Sequence, residues 1–192
     1  MPKNDELIAL KNEEIYTGPQ LNQLRRDERA VHDDDWIKTL LRGGAFGTLA
    51  TAAGEQPFLN AHNYVYDEAQ NCLYFHRSPV GRTSANLEHN PRVCYQVVEM
   101  GRMYVSSEPL NFSVEYRSVI VFGTAHRVGE EEASRALRLL LVKYAPHLEF
   151  GVDYPASAAQ CPTAAVYRVD IESWSGKVNE VAADHPGAYV FK

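Results

Sequence analysis

Apolar positions fall in two rhythms along this chain. Between Asp33 and Gly44 they recur at helical spacing, with Trp36, Ile37, Leu40 and Leu41 on one side. Asp33, Asp34 and Asp35 supply an N-cap and an acidic first turn, and Gly43–Gly44 end the pattern. The helical rhythm returns after Glu130, Glu131 and Glu132, where Ala133, Leu137, Leu140, Leu141 and Tyr144 share a face and Pro146 closes it. A short helix is predicted over 83–89, ahead of Asn90–Pro91.

The other segments read as strands, over 45–51, 57–66, 72–76, 93–98, 114–128 and 164–173. The fifth is long and broken or bulged at Gly123. Turns at Gly54–Glu55 and over 67–71 join the first three strands into an antiparallel meander. Stretches 99–112, 147–162 and 174–192 read as irregular or loop-like, and 1–30 as a polar, charge-rich arm. Antiparallel order and long, bent strands predict a small closed barrel with helices outside it, an arrangement without free sheet edges.

Composition narrows the function. Of 192 residues, 19 are Lys or Arg and 25 are Asp or Glu, a net charge of −6. That balance argues against general nucleic-acid binding, which needs a basic surface. No apolar run reaches the roughly 20 residues of a membrane-spanning helix, and residues 1–14 carry no signal-peptide pattern. Cys72, Cys94 and Cys161 are three widely spaced thiols with no CxxC pair, which disfavours a thiolate metal site or redox dithiol and fits a reducing, cytoplasmic setting. Glycine-rich nucleotide-binding motifs and the HExxH and GxSxG signatures are absent from the sequence.

Three stretches carry candidate chemistry. In the first, 74–84, a strand end runs through a Gly/Pro loop into a helix start, gathering Arg77, Ser78, Arg82, Thr83 and Ser84. Guanidinium forks, hydroxyls and helix N–H groups together suit a phosphate monoester. The plainer reading is a solvated loop in which Thr83 or Ser84 caps the helix. His76 in the same stretch faces either the core or a pocket, and it titrates near neutrality. In Tyr116-Arg117-Ser118-Val119, alternation sends Arg117 and Ser118 to opposite faces. The last stretch, Trp174-Ser175-Gly176-Lys177, offers an aromatic plane and an ammonium, or a strand-ending turn with a packed Trp.

Taken in order and spacing, these stretches resemble the FMN-binding split-barrel family of pyridoxamine 5'-phosphate oxidase, and more closely its nitroimidazole-resistance (Nim-type) branch. The resemblance covers 31–177 and leaves an arm, 1–30, and a tail, 178–192. Gly47-Thr48-Leu49-Ala50-Thr51 with Gln56-Pro57-Phe58-Leu59 is similar to the opening strand pair. Tyr74-Phe75-His76, Gly81-Arg82 and Leu87 with Asn90-Pro91 resemble the cofactor-phosphate segment. Ser175-Gly176-Lys177 resembles the closing motif.

The resemblance implies a mainly β fold with flanking helices, a six-stranded antiparallel split β-barrel. It also implies a homodimer with FMN at the subunit interface. By the same resemblance, His76, Arg77 and Ser78 contact the flavin or its ribityl phosphate, Arg82 binds the phosphate, and Thr83 stands where the oxidase has a second cation. Ser118 replaces an amide side chain, Trp174 and Lys177 approach the ring, and Leu59, Asn60 and Ala61 offer it backbone groups. The oxidase's C-terminal Arg-x-His substrate motif is missing after Trp174, so vitamin B6 oxidation is not the expected activity.

The expectation is an FMN-dependent oxidoreductase. It passes electrons from a nicotinamide donor to a small acceptor such as a nitro compound or quinone, with His76 as proton relay. The alternatives are a non-catalytic flavin or haem carrier, and an interaction module with an empty barrel.

Overall fold

Asp33 starts the first helix, α1 (Asp34–Gly43), as its position predicts. Its carboxylate accepts from the N–H groups of Asp35 at 2.9 Å and Trp36 at 3.3 Å. The computed structural model describes residues 20–105, 112–155, 157–161 and 163–191. Two further helices, α2 (Arg82–His89) and α3 (Glu130–Tyr144), lie where they are expected.

The strands are β1 (Ala30–Val31), β2 (Gly47–Ala53), β3 (Gln56–His62), β4 (Tyr64–Asp67), β5 (Cys72–Arg77), β6 (Arg92–Tyr104), β7 (Ser113–Arg127), β8 (Ala165–Asn179) and β9 (Ala188–Tyr189). All pairings are antiparallel, and the main path runs β3-β2-β6-β7-β8-β5-β4. β3 and β4, at its two ends, are consecutive in the chain but pair with different neighbours. The sheet therefore curls on itself and stays split at Asn63. This is the mainly antiparallel split barrel with flanking helices that the pattern predicts.

Among the described residues, nine strands stand where six are predicted, because 57–66 divides in two, β1 pairs with β8 and β9 with β6, while two other strands run longer than predicted. The predicted strand 57–66 divides at Asn63, because its first half pairs with β2 and its second with β5. The predicted irregular stretch 99–112 is strand through Tyr104, with a register shift between Met100 and Met103, and its remainder at 106–111 lies outside the described residues. The predicted loop at 174–192 begins as strand. Trp174 to Asn179 pair fully with β7, and β9 adds to β6. A Trp-Ser-Gly-Lys string reads locally as a turn, but β7 supplies an unbroken row of partners that overrides it.

Gly123 marks the bulge. The β7–β8 register shifts between Phe122 and Gly123, and a Cβ at Gly123 would lie 1.9 Å from the Asp170 carbonyl oxygen. No side chain fits there.

Two cores follow from strand alternation. Leu49, Phe75, Tyr95, Val97, Val119 and Val121 fill the barrel, and α1 covers one end with Ile37, Leu40 and Leu41. Each such side chain contributes about 1.5–3 kcal/mol of burial. Cys72, Tyr74 and Val166 point outward from β5 and β8 and bury Ala133, Ala136, Leu137 and Leu140 of α3. The Tyr74 hydroxyl donates to Glu132 at 2.5 Å and anchors that helix. α2 sits against β2, where Asn86 Nδ2 donates to Thr51 Oγ1 at 3.0 Å.

Candidate functional site

The β5–α2 junction forms a cradle of cations. Arg77 ends β5 with the parity of Leu73 and Phe75, on the barrel side. Its Nε and Nη1 are buried and have no hydrogen-bond partner. Burial also pulls its pKa below the ordinary arginine value. An unpaired buried guanidinium is costly. Gly81, with φ +141°, turns the chain into α2, and a Cβ there would meet Arg77 Nη2 at 3.2 Å. Gly81 is also the helix N-cap and provides no side-chain cap, so the first-turn N–H groups remain free for a ligand. Arg82 follows, exposed.

The loop is braced from within. Ser78 Oγ accepts from Val80 N–H at 3.2 Å, and its carbonyl accepts from Ser84 Oγ at 3.2 Å. Thr83 is buried, and its hydroxyl accepts from Asn60 Nδ2 at 3.4 Å, tying the helix to β3. This donor set fits a phosphate-bearing cofactor. The partly unpaired Arg77 guanidinium and the exposed Arg82 flank a helix N-terminus on a loop that glycine keeps open.

A second group gathers on the outer face of the sheet. Register places Ala61 beside Thr48, Thr48 beside Gln96, Gln96 beside Ile120 and Ile120 beside Ser175. Alternation then puts Leu59, Ala61, Val98, Met100, Ser118 and Lys177 on that one face. Ser118 stands directly between Val98 and Lys177. Lys177 Nζ lies 5.6 Å from the centroid of the Tyr116 ring. Leu59, Val98 and Met100 are 65%, 53% and 57% exposed, a run of apolar side chains open to solvent.

Trp174 does not join this group. It opposes Val121, packs against the barrel core, and donates from Nε1 to Asp34 Oδ1 at 2.9 Å. Asn60 likewise faces α2 while its neighbours Leu59 and Ala61 face outward. Arg117 is exposed and paired with Glu99 at 2.7 Å.

β5 also separates His76 from Arg77, since adjacent strand residues point to opposite faces. His76 lines a hollow outside the barrel with Asn63, Leu140, Tyr144, Leu148 and Tyr154. Burial lowers its pKa, favouring the neutral imidazole.

Some residues escaped the sequence reading. His62 is 7% exposed, lies 4.6 Å from the Phe75 ring centroid, and has no partner for either nitrogen. Burial, with the nearby charges of Arg77 and His76, brings its pKa to about 4. The Tyr95 hydroxyl is buried and unpaired as well. Lys143 Nζ, also unpaired, sits 3.9 Å above the Tyr64 ring, and burial brings its pKa to about 8. Within 57–66, the signal for His62 is a lone histidine in a strand pattern; for Lys143, next to Tyr144, there is none.

The fold and the cradle define a split-barrel protein of the flavin-binding type. The family profile described as pyridoxamine 5'-phosphate oxidase matches residues 33–178, and the chain belongs to that family. No curated protein matches by sequence. Among solved structures, it is similar to flavocytochrome Anf3 from Azotobacter vinelandii, with TM-score 0.75, 22% identity, and coverage of 88% of this chain and 83% of that one. It is also similar to a FAD and heme binding protein from Mycobacterium smegmatis, with TM-score 0.70, 16% identity, and coverage of 84% and 83%. A third, a candidate 5-nitroimidazole antibiotic resistance protein from Bacteroides thetaiotaomicron, has TM-score 0.64, 20% identity, and coverage of 78% and 86%. At these identities the likeness carries the fold. No described helix is long and apolar enough to cross a membrane.

Proposed function

We propose that the chain is an FMN-dependent oxidoreductase that works as a homodimer with the cofactor across the subunit interface. In this reading a nicotinamide donor supplies electrons and a small nitro compound or quinone takes them. One observation carries it. Leu59, Ala61, Ser118 and Lys177, from three separate strands, stand on one face of the sheet on which Leu59, Val98 and Met100 are exposed, while a cation cradle lies at the β5–α2 junction. A second copy covering that face would bury its apolar side chains and enclose a flat ring.

The bound flavin supplies the redox chemistry, and the protein supplies grip, orientation and electrostatics. Arg77, Arg82 and the N–H groups opening α2 hold the phosphate. Lys177 and Ser118 would supply positive charge and a hydroxyl beside the ring. The backbone of Leu59, Asn60 and Ala61 would offer its polar groups to the ring, and His76 would move a proton at its imidazole. Trp174 stays in the barrel wall and fixes β8 through Asp34. Free Cys72, Cys94 and Cys161 fit a cytoplasmic protein. Nothing in the reading requires nucleic acid or membrane.

A haem carrier is the second reading. It has one observation in its favour: a free, largely neutral imidazole at His76, the form an axial ligand needs. Two of the similar structures are described as a flavocytochrome and as a FAD and heme binding protein.

The absorbance spectrum of the purified chain decides. Flavin bands near ~450 nm, a cofactor property, are expected, together with bleaching by NADH or NADPH without oxygen. Extraction and chromatography of the released flavin distinguish FMN from FAD. A Soret band without flavin would overturn the reading in favour of haem. His76→Ala is expected to keep FMN and lose turnover; unchanged turnover would remove the proton relay.

A further inference from the structure

Two half-buried cations beside the apolar strip lack counter-ions. Arg29 lies just ahead of β1, and the β1–β8 register sets Ala30 opposite Lys177. Both cations reach the same half-buried tyrosine. Arg29 Nη1 donates to the Tyr116 hydroxyl at 3.5 Å, and Lys177 Nζ stands 5.6 Å from the centroid of that ring.

Neither cation forms an ion pair among the described residues, although acids flank them in the chain and in the ladder. Those acids are engaged elsewhere or point away. Glu28 pairs with Arg26 at 2.6 Å, and Asp27 faces His32 at 3.5 Å. Glu115 pairs with Arg102 and Glu99 with Arg117, both at 2.7 Å. Glu180 is exposed and pairs with neither cation.

Two hydroxyls complete the donor set. Tyr116 accepts from Arg29, and its own O–H meets no acceptor among the described residues. Ser118 stands beside Lys177 in the ladder, is 9% exposed, and has no side-chain hydrogen bond among the described residues. Two cations without a counter-ion match a phosphate group, which carries about −1.5 to −2 charge and three acceptor oxygens, better than a singly charged carboxylate.

We propose that Arg29, Tyr116, Ser118 and Lys177 form a binding site for a phosphate or pyrophosphate group at the border of the apolar strip. The proposal rests on the flavin reading only for the source of that group. Ser118 separates Lys177 from Val98, so the ammonium's strand lies two strand spacings, roughly 10 Å, from Val98. A nicotinamide ring meeting the flavin over the strip would have its pyrophosphate one ribose away, within reach of the cations. The electron donor is therefore the expected source, and the flavin's own phosphate is the other.

The test follows the Arg29 side-chain N–H signal by NMR in the full chain, as purified and again after any flavin is released. Arg29→Lys assigns the signal. Inorganic pyrophosphate is expected to shift it saturably, with acetate at least tenfold weaker. Lys177→Met, or Lys177→Gln if the first fails to fold, is expected to weaken pyrophosphate at least tenfold. Arg77→Leu, which removes the buried cation of the cradle, should not abolish the shift. A saturable shift in neither form, equal binding of acetate, undiminished binding without Lys177, or a shift lost in Arg77→Leu would overturn the proposal. A shift seen only after release assigns the site to the flavin phosphate. A shift in both forms assigns it to the donor. Arg29→Gln should then lower kcat/KM for NADH at least tenfold relative to N-benzyl dihydronicotinamide, which has no phosphate, and an unchanged ratio would overturn the proposal. A colourless chain whose Arg29 answers pyrophosphate removes the flavin reading and keeps the site. A yellow chain whose Arg29 ignores it in both forms does the reverse.

Discussion

The cradle at the β5–α2 junction and the strip on the outer sheet face are built in opposite ways. Arg77, Gly81 and Arg82 lie within a few residues of one another, and a strand end, a glycine turn and a helix start aim them together. Leu59, Ala61, Val98, Ser118 and Lys177 are far apart in the chain, and only pairing register makes them neighbours. The cradle has charge and free donors but little apolar surface. The strip has apolar surface and a single cation. If the cradle grips the cofactor and the strip is the proposed dimer face, damage to the cradle should weaken flavin binding alone, whereas damage to the strip should weaken the dimer and with it the flavin.

Charging the strip should give the largest effect. Val98→Glu with Met100→Glu would set carboxylates on the face that the proposed dimer dehydrates. The dimer Kd should rise at least ~100-fold, by loss of central apolar contacts, with flavin lost alongside and circular dichroism unchanged. Sedimentation showing a yellow dimer would break the comparison from that side.

Arg77→Leu attacks the cradle alone. Flavin should bind about 10–100-fold more weakly, from the loss of charge-assisted hydrogen bonds worth ~1.5–3 kcal/mol. The flavin-free protein should melt higher, because an unpaired buried guanidinium has gone. Weaker binding with a lower apo Tm would mean that Arg77 is structural.

Acid should act on the barrel interior beneath the strip. The pKa of His62 falls from 6.5 to about 4 on folding, so the unfolded chain binds the extra proton. The stability it contributes is fully present above pH ~6.5 and is lost as pH falls toward ~4, about 2 kcal/mol after allowing for partial solvent access. Urea unfolding at pH 7 and pH 4.5 measures this, and His62→Phe should flatten the difference.

Lys143→Met should have the smallest effect, raising Tm by ~2–4 °C for each kcal/mol recovered. It removes an amine held without a hydrogen-bond partner over Tyr64. If this variant stabilises as much as Arg77→Leu does, the orphan charge in the cradle is not special, and differential scanning calorimetry of both settles the point.

Much of the fold was legible because it is local. Asp33 caps α1, the glutamates open α3 and Gly123 marks the bulge, all from short-range chemistry. The cradle was legible for the same reason. His76 and Arg77 were read together as flavin contacts, yet β5 continues through both and sends them to opposite faces. Trp174 was read as a ring neighbour, yet β7 draws it into the barrel wall opposite Val121. The buried, unpaired polar atoms of Tyr95 and Lys143 leave no mark in the sequence that distinguishes them from surface residues, and His62 leaves only that of a histidine inside a strand pattern.

The sequence alone determined the helices with their caps, the antiparallel strands, and the run of cations, hydroxyls and glycine leading into α2. Each depends on residues within one turn or one hairpin of each other. The tertiary structure decided which face every strand residue presents, where the predicted strand 57–66 splits, and which distant residues share the outer strip. Those outcomes depend on register between strands far apart in the chain, and a one-residue slip in that register would turn every side chain to the other face.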